Sequence, residues 1–177
     1  MTRSMINRPE KSEYLPYYHR YIALVAEGDI VTTLEEQNRS TLALLRSLPE
    51  SKAAFRYAPL KWSIKELVGH LTDAERIFAD RALRFARNDE TPLPGFEEND
   101  YVRNGSFDAC SLADLADGFE SVRRSTVSLF KQLNGEASAR RGKANNAEIS
   151  VRALAYVIAG HEIHHMKVLR TKYLVKP

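Results

Sequence analysis

Four stretches of this chain repeat their apolar residues at the helical period, and no comparable alternating run argues for a sheet. The first runs from about residue 30 to 48, with Ile30, Leu34, Thr41, Leu45 and Leu48 on one stripe. The second opens at Ser63, with Glu66 three residues on as a capping box, and carries Ile64, Leu67, Val68, Leu71, Phe78, Ala82 and Phe85. The third begins at Ser111, with Asp114 in the equivalent position, and carries Leu112, Leu115, Phe119, Val122, Leu129 and Leu133. The fourth follows Ser150 with Leu154, Val157, Ile158, Val168 and Leu169. Four amphipathic stripes of this length bury one another most simply as an all-α, four-helix bundle.

The connections bear on its topology. Residues 88–110 hold Pro92, Pro94, Gly95 and Gly105 and an acidic run, Glu97-Glu98-Asn99-Asp100. That segment is long enough for a crossover along the bundle, so an up-down-up-down order is not required, and the acidic run reads as a solvated loop. Residues 134–149 also read as a loop, and the aromatic segment 14–18 is expected to pack on the bundle. With 177 residues, the chain is expected to form a single domain over 1–177. Its 26 basic and 23 acidic residues leave a net charge of +3 without a dense basic block, which argues against nucleic-acid or membrane partners. The N-terminal residues have no apolar signal region, and no run approaches the roughly 20 apolar residues of a membrane span. The single cysteine, Cys110, excludes an internal disulfide, and a cytoplasmic location is expected.

Chemistry concentrates in the last helix. His161 and His165 are four residues apart, so both imidazoles lie on one face, one turn apart and inside the apolar stripe. Two buried imidazoles on one face favour metal ligation over isolated core histidines, because a neutral ring is costly to bury without partners. His70, flanking the stripe of the second helix, supplies a third nitrogen; three ligands leave open positions, as catalytic metals require. The string His161-Glu162-Ile163-His164-His165 also matches the H-E-x-x-H signature of zinc proteases. The twelve residues after His165 contain no Asp, Glu, His or Cys to serve as a downstream ligand, which disfavours that reading. Glu162 is the nearest candidate base, against the alternative of a solvated surface glutamate. His164 reads as a rim or supporting group. Arg81, three turns beyond His70, and its neighbours Arg84 and Arg87 read as a basic helix end ahead of an anion site. Cys110 reads as a small buried residue, His19 is a minor ligand candidate, and Trp62 before Ser63 reads as a hydrophobic staple.

Three segments carry a family resemblance: Lys61-Trp62-Ser63-Ile64-Lys65-Glu66-Leu67-Val68-Gly69-His70-Leu71 through Arg76, then residues 81–87, and residues 150–156 through His165. On these the chain resembles the DinB/YfiT-like superfamily of metal-binding four-helix bundles, over about residues 15–175. The resemblance implies an up-down-down-up bundle with a long crossover between the second and third main helices. It implies a divalent ion, zinc or nickel, held by His70, His161 and His165, and a homodimer in many members. The characterised activities it brings are mostly metal-dependent transfers using low-molecular-weight thiols such as bacillithiol or mycothiol, and a thiol-dependent isomerisation. The expected function is therefore a metal-dependent thiol transferase or hydrolase acting on a small molecule. The alternative is a non-catalytic stress-response protein whose ion stabilises the bundle.

Overall fold

The structure, a computed structural model, describes residues 5–174. Its long helices are α2 (Ile30–Ser47), α3 (Ile64–Ala86), α5 (Leu112–Lys131) and α7 (Val151–Val168). Three short ones accompany them: α1 (His19–Ile22), α4 (Glu98–Asn104) and α6 (Gly135–Ala139). The starts of the long helices lie where the sequence placed them because each has a side-chain cap. Ser63, Ser111 and Ser150 accept from the backbone N–H three residues on, and Asp29 does the same for α2. The α7 helix leads directly into a wider π-helical turn, Leu169–Tyr173.

Cross-helix contacts fix the directions. Glu50, just past the end of α2, meets the Leu112 N–H at the start of α5, while Lys131 at the end of α5 meets Glu35 near the start of α2. These two helices are antiparallel. Gln37 and Thr41 of α2 reach the Ala159 carbonyl and Glu162 of α7 in step, so that pair is parallel. Ser63 opens α3 beside Asp108, which immediately precedes α5, so α3 and α5 are also parallel. The order is up-down-down-up. Because α3 and α5 point the same way, the chain between them must travel back the full length of α3, about 34 Å. Residues 87–111 do this, and α4 lies within that return.

Three local readings are corrected. Residues 141–150 are not a loop: β1 (Arg141–Ala144) and β2 (Ala147–Ser150) pair antiparallel around Asn145 and Asn146, both at positive φ. This is the backbone of a primed two-residue hairpin turn, where asparagine is well tolerated. The returning chain docks on this hairpin, with the Leu93 N–H donating to the Lys143 carbonyl and the Asn145 N–H to the Leu93 carbonyl. Second, the acidic run is helical, with Glu97 accepting from the Asn99 N–H. Third, the buried face of α5 is rotated from the predicted stripe: Leu112, Ala116, Phe119, Arg123, Thr126 and Phe130 are buried, whereas Leu115, Val122 and Leu129 are half-exposed.

The central helix is α7. Apart from the half-buried Arg152, residues 151–162 are buried on every side, because α1, α2, α3 and the hairpin all surround the helix. Gly160 permits the closest approach, since a Cβ there would lie 2.1 Å from the Tyr21 carbonyl oxygen of α1. No described helix is long and apolar enough to cross a membrane.

Candidate metal centre

His70 lies on the second turn of α3, and His161 and His165 lie on the last turns of the antiparallel α7, so the three rings meet at one end of the bundle. His161 Nε2 is 3.1 Å from both His70 Nε2 and His165 Nε2, and the three donor atoms all lie within 4.8 Å of one another. Hydrogen bonding does not account for such a cluster. A neutral imidazole nitrogen is either one donor or one acceptor, and His161 Nε2 would have to serve two partners at once. One ion would satisfy all three. Donor nitrogens about 2.0–2.1 Å from a zinc ion sit about 2.9 Å apart at a right angle and about 3.4 Å apart at the tetrahedral angle, which brackets the observed spacing.

Burial keeps the rings neutral, the form able to bind a metal. It lowers the His70 pKa to about 4. Burial, with repulsion from His70 and His164, lowers that of His165 to about 3. His161 is also held well below its ordinary range, by burial first and then by the two neighbouring imidazoles. Aromatic rings hold the imidazoles in place. Trp62 packs on His70 at 4.6 Å between centroids and stacks on His165 at 6.3 Å. It is thus a wall of the site, a role its position before Ser63 did not suggest. Tyr21 and Phe78 set their rings edge-on to His161.

Glu162 departs from its sequence reading most. It is 2% exposed, so it is no solvated surface residue. Its carboxylate receives the Thr41 hydroxyl at 2.5 Å and faces Arg123 Nη1 at 2.6 Å. Arg123, itself fully buried, donates from Nε and Nη2 to both oxygens of Glu75 at 2.8 and 2.7 Å, and from Nη1 to the Leu34 carbonyl. Burial raises the Glu162 pKa, with Arg123 and Thr41 opposing and Glu75 adding to the rise. This network ties α2, α3, α5 and α7 together one turn from the histidines. Glu75 and Arg123 were not among the expected site residues, although the sequence carries a signal for both. Glu75 falls between Leu71 and Phe78, and Arg123 between Phe119 and Thr126, each in register with a buried stripe.

A cavity of about 310 Å³ opens above His70 and His161. Its aromatic side is Tyr17, Tyr18, Tyr21, Phe78 and Phe96, and its roof is Gly95, Phe96, Glu97 and Glu98 from the returning segment. A second space, of about 350 Å³, reaches His165 between Trp62, Tyr173 and Glu98. Arg81 lines the first cavity together with the two histidines, so the three turns that separate it from His70 do not exclude it from the site. His164 is exposed and borders the second space. His19 lies outside the cluster, with Nδ1 facing the Tyr14 hydroxyl at 3.2 Å. Arg84 pairs with Asp80 and Asp89, and Cys110 is a half-buried free thiol.

A model of the DinB superfamily matches residues 33–169. No protein of curated function matches the sequence. Among solved structures, YfiT of Bacillus subtilis, described as a probable metal-dependent hydrolase with an unusual four-helix bundle topology, superposes with a TM-score of 0.70 at 16% identity, covering 93% of this chain and 92% of that one. A DinB-like protein of the same organism, YjoA, superposes with a TM-score of 0.60 at 22% identity, covering 81% of this chain and 87% of the other. At these identities the two structures establish the shared fold.

Proposed function

This chain belongs to the DinB superfamily, and on that footing we propose that it is a metal-dependent enzyme whose divalent ion is held by His70, His161 and His165. The observation that carries this reading is the convergence of three neutral imidazole nitrogens beside open space, with His70 and His161 on one cavity and His165 on the next, instead of inside a closed shell. When bound, a zinc or nickel ion supplies Lewis acidity toward a water or thiol and toward a polarised substrate bond. The reaction class that fits is hydrolysis or thiol transfer on a small electrophilic substrate.

The chain's own residues have distinct tasks. The three histidines would hold the ion through Nε2. Trp62, Tyr21 and Phe78 restrict ring rotation and keep bulk water from the imidazoles. We assign Glu162 a positioning role: it anchors the α7 backbone through Arg123 and Thr41, and its carboxylate is engaged there instead of serving as a base.

The reading is tested by elemental analysis of untagged protein, which is expected to contain about one divalent ion per chain, against a His161→Ala variant expected to contain little. Saturating metal at about 100 times its Kd contributes about 2.7 kcal/mol, so chelation should lower Tm by about 5–11 °C in a chain of this size. Substoichiometric metal in the untagged protein overturns the proposal. The rival reading, an ion that only stabilises the bundle, requires that no small thiol or ester reach the ion. Electronic spectra of the cobalt-substituted protein, with and without added thiol, separate the two.

A further inference from the structure

Arg81 is only 4% exposed, and among the described residues no carboxylate pairs with it. Its neighbours on the same helix differ: Arg76 pairs with Asp73, and Arg84 with Asp80 and Asp89. The Arg81 guanidinium donates from Nη2 to the Pro94 carbonyl at 2.7 Å and faces the Phe78 and Phe96 rings at 5.8 and 6.0 Å. A buried guanidinium met by a carbonyl, the neutral Tyr18 hydroxyl and two ring faces, with no carboxylate against it, is costly, and the ordinary remedy is an anion with two oxygens that match its fork. The charge borders the cavity that also exposes His70 and His161.

We infer that this cavity binds a small organic carboxylate, with Arg81 taking the carboxylate and the aromatic walls taking an apolar body whose reactive bond lies over the histidines. The α3 rise puts the Cα atoms of His70 and Arg81 about 16 Å apart, and both side chains reach into the space between, which suits a molecule of several bonds' length. A carboxylate fits better than a phosphate. One guanidinium matches one negative charge, and the rim carries Glu97 and Glu98, which repel a dianion. The location of the reacting bond rests on the metal-centre reading; the recognition of the anion by Arg81 does not.

The test uses 3-phenylpropionate, its primary amide and a phosphate monoester of matching length, titrated by calorimetry into zinc-loaded and chelated protein. The carboxylate should bind at least about ten-fold more tightly than the amide in both forms, and more tightly than the phosphate ester. Arg81→Met should abolish that preference while zinc content stays unchanged. Arg81→Lys, which keeps the charge and most of the packing, should show a smaller loss in the same direction and stands in if the methionine variant does not fold. Equal binding of acid and amide, no binding of the acid at millimolar concentration, tighter binding of the phosphate ester, or an undiminished preference in the arginine variants overturns the inference. So does loss of the preference in His161→Ala, because the metal would then be holding the carboxylate. Retained preference in a protein that takes up no zinc sinks the metal-centre reading alone.

Discussion

At the scale of single residues, Gly160 and Arg123 control the geometry around the histidines. A Cβ at position 160 would meet backbone, the Tyr21 carbonyl, and backbone cannot swing aside as a flexible side chain can. Gly160→Ala should therefore cost about 1–3 kcal/mol in thermal denaturation. A wild-type melting temperature for the variant would mean that α1 does not approach α7 so closely. Arg123→Met should cost about 3–5 kcal/mol, because it leaves Glu75 and Glu162 buried side by side without their cation. Urea midpoints at an unchanged m-value measure this, and adding Glu75→Gln to that background should recover part of the loss. Arg123 and Glu75 show in the sequence only as charges in register with an apolar stripe, and what they do there follows once their partners on other helices are known. The histidine pair was legible because both members lie on one helix, where spacing alone fixes their relation.

Among the elements, long helices are written plainly, since eighteen or more residues repeat one period and a capping serine or aspartate marks each start. The hairpin was not legible. Its strands are four residues each, and Arg141-Gly142-Lys143-Ala144 has no apolar alternation to announce a pleat. What it does have is the Asn145-Asn146 turn, with φ of 51° and 61°. At that backbone Asn146→Val should lower stability by about 1–2 kcal/mol, and Asn146→Gly should be neutral or mildly stabilising. Equal melting curves for the two variants would argue against the primed turn. The α4 helix escaped for a related reason, since seven residues crowded with charge resemble a solvated loop until the bundle beneath them is seen.

Across the whole molecule, the N-terminal segment is locked to the far end of the chain. Glu13, buried, accepts from the Ser150 hydroxyl and pairs with Arg152, which joins that segment to the start of α7. Burial alone would raise its pKa; the bonds from Arg152, Ser150 and the Glu10 N–H outweigh it and bring the value down to about 2, from 4.5. A depressed acid stabilises the fold above its unfolded pKa and loses that contribution as pH falls through the folded one. The Glu13 contribution, about 2–3 kcal/mol, should therefore be complete above pH 4.5 and fade toward pH 2. Stability measured against pH should be flatter over that window in Glu13→Gln, and parallel curves for the two proteins would contradict it.

The parallel pairing of α3 and α5 reaches further than topology. It sends residues 87–111 across the mouth of the bundle, so Phe96, Glu97 and Glu98 shape the entrance while the clustered histidine nitrogens sit on α3 and α7. On the proposed reading, part of the selectivity is thereby encoded on a stretch of polypeptide separate from the histidines, beside what Arg81 contributes from α3. If the proposed function holds, exchanging the span from Gly95 to Tyr101 is a route to altered substrate preference that leaves the three histidines as they are.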